Sequence, residues 1–156
     1  MRALEPWVAA PLENFLAESA ARLTLLMTSS GQVVAQHGFS RSLDVMTAAA
    51  LGAGIVASTE ELARIMGAGR FDALVHHGRR QSCLLAAFTT PRGRWIGLVV
   101  FGPETSVGIV RLFFDQMVQQ LVGAAPREQV HPPALAENFE TELNASLGAL
   151  FGRSPA

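Results

Sequence analysis

The chain contains no lysine, no tyrosine and a single cysteine, and its only aspartates are Asp44, Asp72 and Asp115. All 12 of its basic residues are arginine. Without lysine there is no Walker A nucleotide site, whose lysine sits on the phosphates, and no Schiff-base chemistry on a lysine amine. One thiol cannot close an internal disulfide, so a reducing, cytoplasmic setting is expected. No apolar run is long enough to span a bilayer, and the opening MRALEPW lacks a signal-peptide pattern, so membrane insertion is not expected. A net charge of −1 and a pI near 6.4 leave no basic footprint for nucleic acid or anionic lipid.

What is present suffices for a packed core. The 156 residues fit one domain, and 49% hydrophobic against 16% charged residues argues against disorder. Leu12, Phe15, Leu16, Ser19 and Leu23 recur at helical spacing, which predicts a helix over about residues 8–21. Residues 23–28 and 32–37 read as a β-hairpin, with Gly31 of the Ser29-Ser30-Gly31 turn at a positive φ. A long helix is predicted over about 43–66, closed by Gly67-Ala68-Gly69. Leu51, Ile55, Leu62 and Met66 form one apolar stripe along it, and Ala50, Gly54, Ala57, Ser58 and Glu61 lie on a different, small-residue face. Glycine inside a helix costs about 1 kcal/mol relative to alanine, which a sequence accepts where another backbone comes close. Tight packing within the chain and a platform for a second chain are both open readings of that face.

Three further strands are predicted at Phe71–His77, Ser82–Thr89 and Arg94–Phe101. The second, apolar on both faces, should be covered on both sides. Thr105 or Ser106 then caps a helix that runs to about Val122 and stops at Gly123, with Val107, Val110, Phe114, Val118 and Leu121 toward the core. Residues 1–123 are thus read as the domain, 124–134 as a Pro-rich linker and 135–156 as a tail with an amphipathic helix carrying Phe139, Leu143, Leu147, Leu150 and Phe151. The stripe must be buried somewhere, on its own domain or in a partner's groove. The fold class is α+β: a five-stranded, mostly antiparallel sheet sandwiched by helices in the order αββαβββα, plus the C-terminal helix. At least one sheet edge is left free, which invites pairing with a second copy.

No enzyme site emerges. Cys83 sits in an apolar strand and reads as a small buried hydrophobe, and no serine has the setting of a nucleophile elbow. His76 and His77 are neighbours on a strand and point to opposite faces, so they cannot share a metal ion, and His37 and His131 bring no useful carboxylate spacing. Glu60 and Glu61 diverge on a helix and read as solvated charge. Arg70, Arg79, Arg80, Arg92 and Arg94 gather around strand ends and turns, where an arginine finger and simple solvation are the two readings.

The order of elements resembles the roadblock/LC7 domain, and local strings are similar to its bacterial MglB group. They are Gly54-x-Val56-Ala57, Leu62-Ala63-x-Ile65-x-Gly67, Phe71-x-x-x-x-His76-x-Gly78, Phe101-x-x-x-Thr105-Ser106-Val107-Gly108-Ile109-Val110-Arg111-Leu112 and the tail Leu147-x-x-Leu150-Phe151. The resemblance implies a homodimeric regulator of cell polarity or motility, cytoplasmic and enriched at a cell pole. Its partner would be a small Ras-like GTPase of the MglA type, whose GTP hydrolysis it stimulates with no cofactor and no catalytic residue of its own. The paired long helices would be the platform, placing Ala50, Gly54, Ala57, Ser58 and Glu61 against the GTPase, and the C-terminal helix would make a separate contact. Glu61 departs from the small residue that similar proteins keep there, and would either pair with a basic residue of the GTPase or weaken docking. A roadblock-type scaffold without activation is the alternative.

Overall fold

The computed structural model describes residues 2–3, 5–38, 44–67, 69, 71, 73–126 and 143–148. These fall into two units, residues 1–126 and 127–156. In the first, a 3-10 turn at Pro6–Val8 leads into α1 (Ala9–Ser19). The hairpin β2 (Leu23–Thr28) and β3 (Val33–Gly38) follows, then α2 (Val45–Met66). The meander β4 (Leu74–His77), β5 (Ser82–Thr90) and β6 (Gly93–Phe101) precedes α3 (Val107–Ala124). A two-residue strand β1 (Arg2–Ala3), unforeseen from sequence, pairs with β3. The sheet order is β1-β3-β2-β6-β5-β4 and every pairing is antiparallel.

Pairing of β2 with β6 joins the hairpin to the meander, so the ends of the chain's sheet meet at its centre. Alternation along the strands then builds two cores. Leu23, Leu25 and Met27 of β2 face α2 together with Leu85, Ile96, Leu98 and Val100. Leu26, Leu84, Phe88, Trp95 and Val99 face α1 and α3, where they meet Leu12, Phe15, Val110, Phe114, Met117 and Leu121. As predicted, β5 is covered on both sides. A bulge between Leu26 and Met27 passes over Val34, which is why consecutive residues Val34 and Ala35 both reach the α1/α3 core.

The punctuation follows local chemistry. Gly31 adopts φ 91° in the hairpin turn and Gly67 closes α2 at φ 65°, both as predicted. Ser19 is fully buried because its hydroxyl accepts the Ala21 N–H at 3.2 Å, where α1 ends in a left-handed Ala20. Three expectations are corrected. β4 begins at Leu74, since β5 offers it a partner only from Leu85 back to Ser82. Val107 is 37% exposed, being in the first turn of α3 before that helix reaches the core. Gly123 does not stop α3, which continues to Ala124; the stop comes from Pro126, which forces Ala125 out of helical geometry to ψ 129°.

Asp44 caps α2, which begins at Val45, two residues later than the predicted start. Its carboxylate accepts the Met46 N–H at 3.1 Å, the Thr47 N–H at 3.3 Å and the Thr47 hydroxyl at 2.8 Å. These bonds, the Thr47 hydroxyl's first, hold its carboxyl below the ordinary carboxylate range. A folded-state value lowered in this way makes the cap fully effective above the ordinary carboxylate range and weakens it as pH falls through the lowered value. Amide protection factors at Met46 and Thr47 are therefore expected to fall on acidification before those of mid-helix residues. Asp44→Asn, which keeps an acceptor but no titrating charge, should abolish that pH dependence; if it does not, the cap is not the cause.

Candidate functional site

α2 carries apolar or small residues all around, so its two long faces compete for the sheet. The face that wins is the smaller one. Ala49, Gly52, Ala53 and Ala63 are buried, with Val56 half-buried. A Cβ on Gly52 would stand 3.4 Å from Met27 Cε and Leu85 Cδ2, so the helix lies close on the sheet. Arg94 of β6 pairs with Glu60 and ties the C-terminal third of the helix to the sheet.

The opposite face is open. Ala50, Gly54, Ala57, Ser58 and Glu61 are all exposed, and among the described residues nothing beyond the helix's own backbone and Gly54's neighbours lies within 4 Å of where a Gly54 Cβ would be. Of the two glycines in α2, then, Gly52 packs on the chain's own core and Gly54 faces away from it. Beside this strip the stripe of Leu51, Ile55, Leu62 and Met66 does not enter the core: Leu51 is 63% and Leu62 51% exposed. Ile65, 70% exposed, completes the line of Gly54, Ser58 and Glu61 at helical spacing. The sequence reading missed Ile65, although its position eleven residues beyond Gly54 carried the signal. Several large exposed aliphatics on one helix, flanking a strip of small side chains, form the kind of patch that proteins use for association.

Polar groups on this face are satisfied locally. Ser58 Oγ donates to the Gly54 carbonyl at 2.9 Å, and Thr59 Oγ1 to that of Ile55 at 2.8 Å. Glu61 pairs with Arg64 one turn on, and this contact lowers the glutamate's pKa and raises the arginine's. The departure at Glu61 thus adds a solvated ion pair to the strip, on its own helix. At the edge of the sheet, β4 has a strand neighbour only in β5, so its outer edge is unpaired among the described residues. Phe71, 38% exposed, lies with Val56, Thr59 and Leu74 around a small gap between α2 and this end of the sheet.

Other candidates stay apart. Burial pushes the Cys83 thiol up, the opposite of what a nucleophile needs. Among the described residues no group of three or more His, Cys, Asp or Glu converges as a metal site. None of their helices is long and apolar enough to cross a membrane. Of the arginines, Arg94 is engaged by Glu60, Arg92 is in the exposed β5–β6 turn and Arg70 lies outside the described residues. In the second unit residues 143–148 are helical, which puts Leu143 and Leu147 on one face, both exposed. Phe139, Leu150 and Phe151 lie outside the described residues.

No family model and no curated protein matches the chain. Solved structures do. The chain is similar to Myxococcus xanthus MglB, with 25% identity over 77% of this chain and 95% of that one and a TM-score of 0.69. It is similar to the gliding protein MglB of Thermus thermophilus, with 28% identity over 76% and 88% of the two chains and a TM-score of 0.68. A roadblock/LC7 domain from Streptomyces avermitilis shares the fold, with 15% identity over 70% and 89% and a TM-score of 0.60.

Proposed function

We propose that this chain, whose fold is of the roadblock/LC7 type in its MglB-like form, acts as a homodimer that binds a small Ras-like GTPase of the MglA type and stimulates its GTP hydrolysis. It does so in the control of cell polarity or motility. The observation that carries the reading is the outer face of α2, where a glycine-containing strip stands open between large exposed aliphatics. Leu51, Ile55 and Leu62 are buried by a second copy, beside the unpaired edge of β4. In the dimer the strips at Ala50, Gly54, Ala57, Ser58 and Glu61 form a platform shallow enough for the GTPase's switch backbone to approach.

The chain supplies no reacting group in this scheme. Phosphoryl transfer depends mostly on alignment and electrostatics, so holding the GTPase's own catalytic elements in position accelerates it. The C-terminal helix, through the stripe that includes Leu143 and Leu147, makes a second contact with the same partner.

Single-turnover GTP hydrolysis by the Ras-like GTPase of the same organism tests the reading. The rate should rise with added protein and saturate near two chains per GTPase. Ala57→Arg, on an exposed position, should abolish the stimulation while leaving a folded dimer. Stimulation that survives this variant would remove the platform from α2. The Glu61–Arg64 pair favours a second reading, a scaffold that binds the GTPase without activating it, because the pair adds bulk and charge to the strip. A flat rate with binding shown separately, and equal affinity for the GDP and GTP states, selects the scaffold.

A further inference from the structure

At the end of the sheet away from β4, the two residues of β1 are all that lies beyond β3 among the described residues. Arg2 stands opposite Gln36 and Ala3 opposite Ala35, which leaves Val33, Val34, His37 and Gly38 without a strand neighbour on that side. We propose that residues 2–7 form a releasable strap, and that on release the β3 edge pairs antiparallel with β3 of a second copy.

The strap has little to hold it. Beyond the two paired residues of β1, its grip on the body is the half-buried Trp7 ring, stacked on Trp95 at 5.3 Å between centroids and 17° between planes. The polar bonds of this turn stay within it. Trp7 Nε1 donates to the Glu5 carboxylate at 3.3 Å, and the Val8 N–H to the Glu5 carbonyl at 3.1 Å. Among the described side chains Val8 is the first that is fully buried, which makes it the hinge. A segment with so few buried contacts opens at far less cost than the sheet it lies on.

The edge beneath is suited to pairing. Exposed edges resist a foreign strand through charge and proline, and β3 (Val33–Gly38) contains no lysine, arginine, aspartate, glutamate or proline. The bulge at Val34 spoils one end as a template. The strap covers Ala35 and Gln36, the regular stretch that follows it.

The chemistry of Gln36 selects a second copy as the occupant. Gln36 lies opposite Leu25 of β2 and so on the α2 face of the sheet, since directly opposed residues share a face. A two-fold axis perpendicular to the sheet at this position sets Gln36 against Gln36 of the second copy. It keeps both α2 helices on one side and α1 and α3 on the other. A carboxamide both donates and accepts, so two of them satisfy each other. This two-fold is separate from the α2 face, and a chain using both would join one dimer to the next.

The test is oxidative cross-linking of the full chain carrying Gln36→Cys and Cys83→Ser, which leaves one thiol, on the β3 edge. Opposed positions of an antiparallel pair lie within disulfide reach. Adding Trp7→Ala should speed the interchain disulfide about tenfold or more, by raising the fraction of chains with a free edge. Trp7→Phe, which keeps a ring against Trp95, should leave the rate near its starting value. Sedimentation of the Trp7→Ala chain should show species larger than the parent's, growing with concentration. Thermal unfolding shows whether that variant is folded. If it is not, Arg2→Gly with Ala3→Gly, which weakens β1 through the backbone alone, replaces it with the same expectation. Equal disulfide rates with and without the strap substitutions in folded chains overturn the proposal, whether or not α2 dimerises, because the cross-link reads β3 alone. Equal acceleration with Arg92→Cys in place of Gln36→Cys, on the β5–β6 turn, would reveal unspecific association and overturn it too.

Discussion

A chain carrying Leu51→Glu and Leu62→Glu is expected to sediment as a folded monomer at micromolar concentration, where the wild type is expected to sediment as a dimer. Both side chains already face solvent in the single chain, so the substitutions cost its own core nothing. In a symmetric interface each substitution is felt twice. Burying a leucine contributes about 1.5–3 kcal/mol, so losing four such contributions removes on the order of 6–12 kcal/mol. That compares with about 8 kcal/mol for a micromolar dimer, before the cost of burying the introduced charges is counted. Ile109→Glu with Leu112→Glu, on the exposed side of α3, is the control and should leave the dimer intact. If the α3 pair dissociates the dimer and the α2 pair does not, the self-association surface lies on the opposite side of the sheet.

The largest loss of stability is expected from Phe114→Ala. Phe114 is 2% exposed and meets Phe15 edge-on at 6.1 Å and Phe88 edge-on at 5.9 Å between ring centroids. Removing it should cost about 3–5 kcal/mol in urea unfolding at fixed protein concentration. The ring also explains a glycine in the middle of a strand. A Cβ on Gly97 would lie 2.5 Å from Phe114 Cε2, and the ring is held in place by its two aromatic neighbours. Gly97→Ala alone should therefore cost about 1–3 kcal/mol by overpacking. In the Phe114→Ala background the same change should cost far less, because the added methyl enters the space the ring has left. Additive losses in this double-mutant cycle would show that the ring and the glycine are not coupled.

Much of the fold could be read from local pattern. The β2–β3 hairpin was legible because Gly31 needs a positive φ that few other residues tolerate, and Gly67 closes α2 for the same reason. A hydroxyl cap at Thr105 or Ser106 was legible before the apolar periodic run of α3, and the structure assigns it to Ser106. Less legible were features that depend on a partner. Phe71–Ala73 alternates like a strand, but β4 forms only where β5 offers pairing, and Phe71 lies instead in the gap beside α2. The two-residue β1 had no signal at all, since two residues carry no period.

The candidate site divides along the same line. Ala50, Gly54, Ala57, Ser58 and Glu61 were recognisable as one face because helical geometry fixes which residues share a side. That Leu51, Ile55 and Leu62 lie outside and Ala49, Gly52 and Ala53 inside could not be decided from periodicity, since both stripes are apolar. Shape decided it: the sheet presents Met27 and Leu85, and only the small stripe lets α2 approach them closely. By itself, then, the sequence determined the long elements, their order and the membership of each helix face, all of which follow from the local geometry of the backbone. Tertiary structure alone decided which face of α2 packs on the sheet and which is left exposed. That depends on which surfaces meet once β2 and β6 pair, across the 64 residues of chain between them.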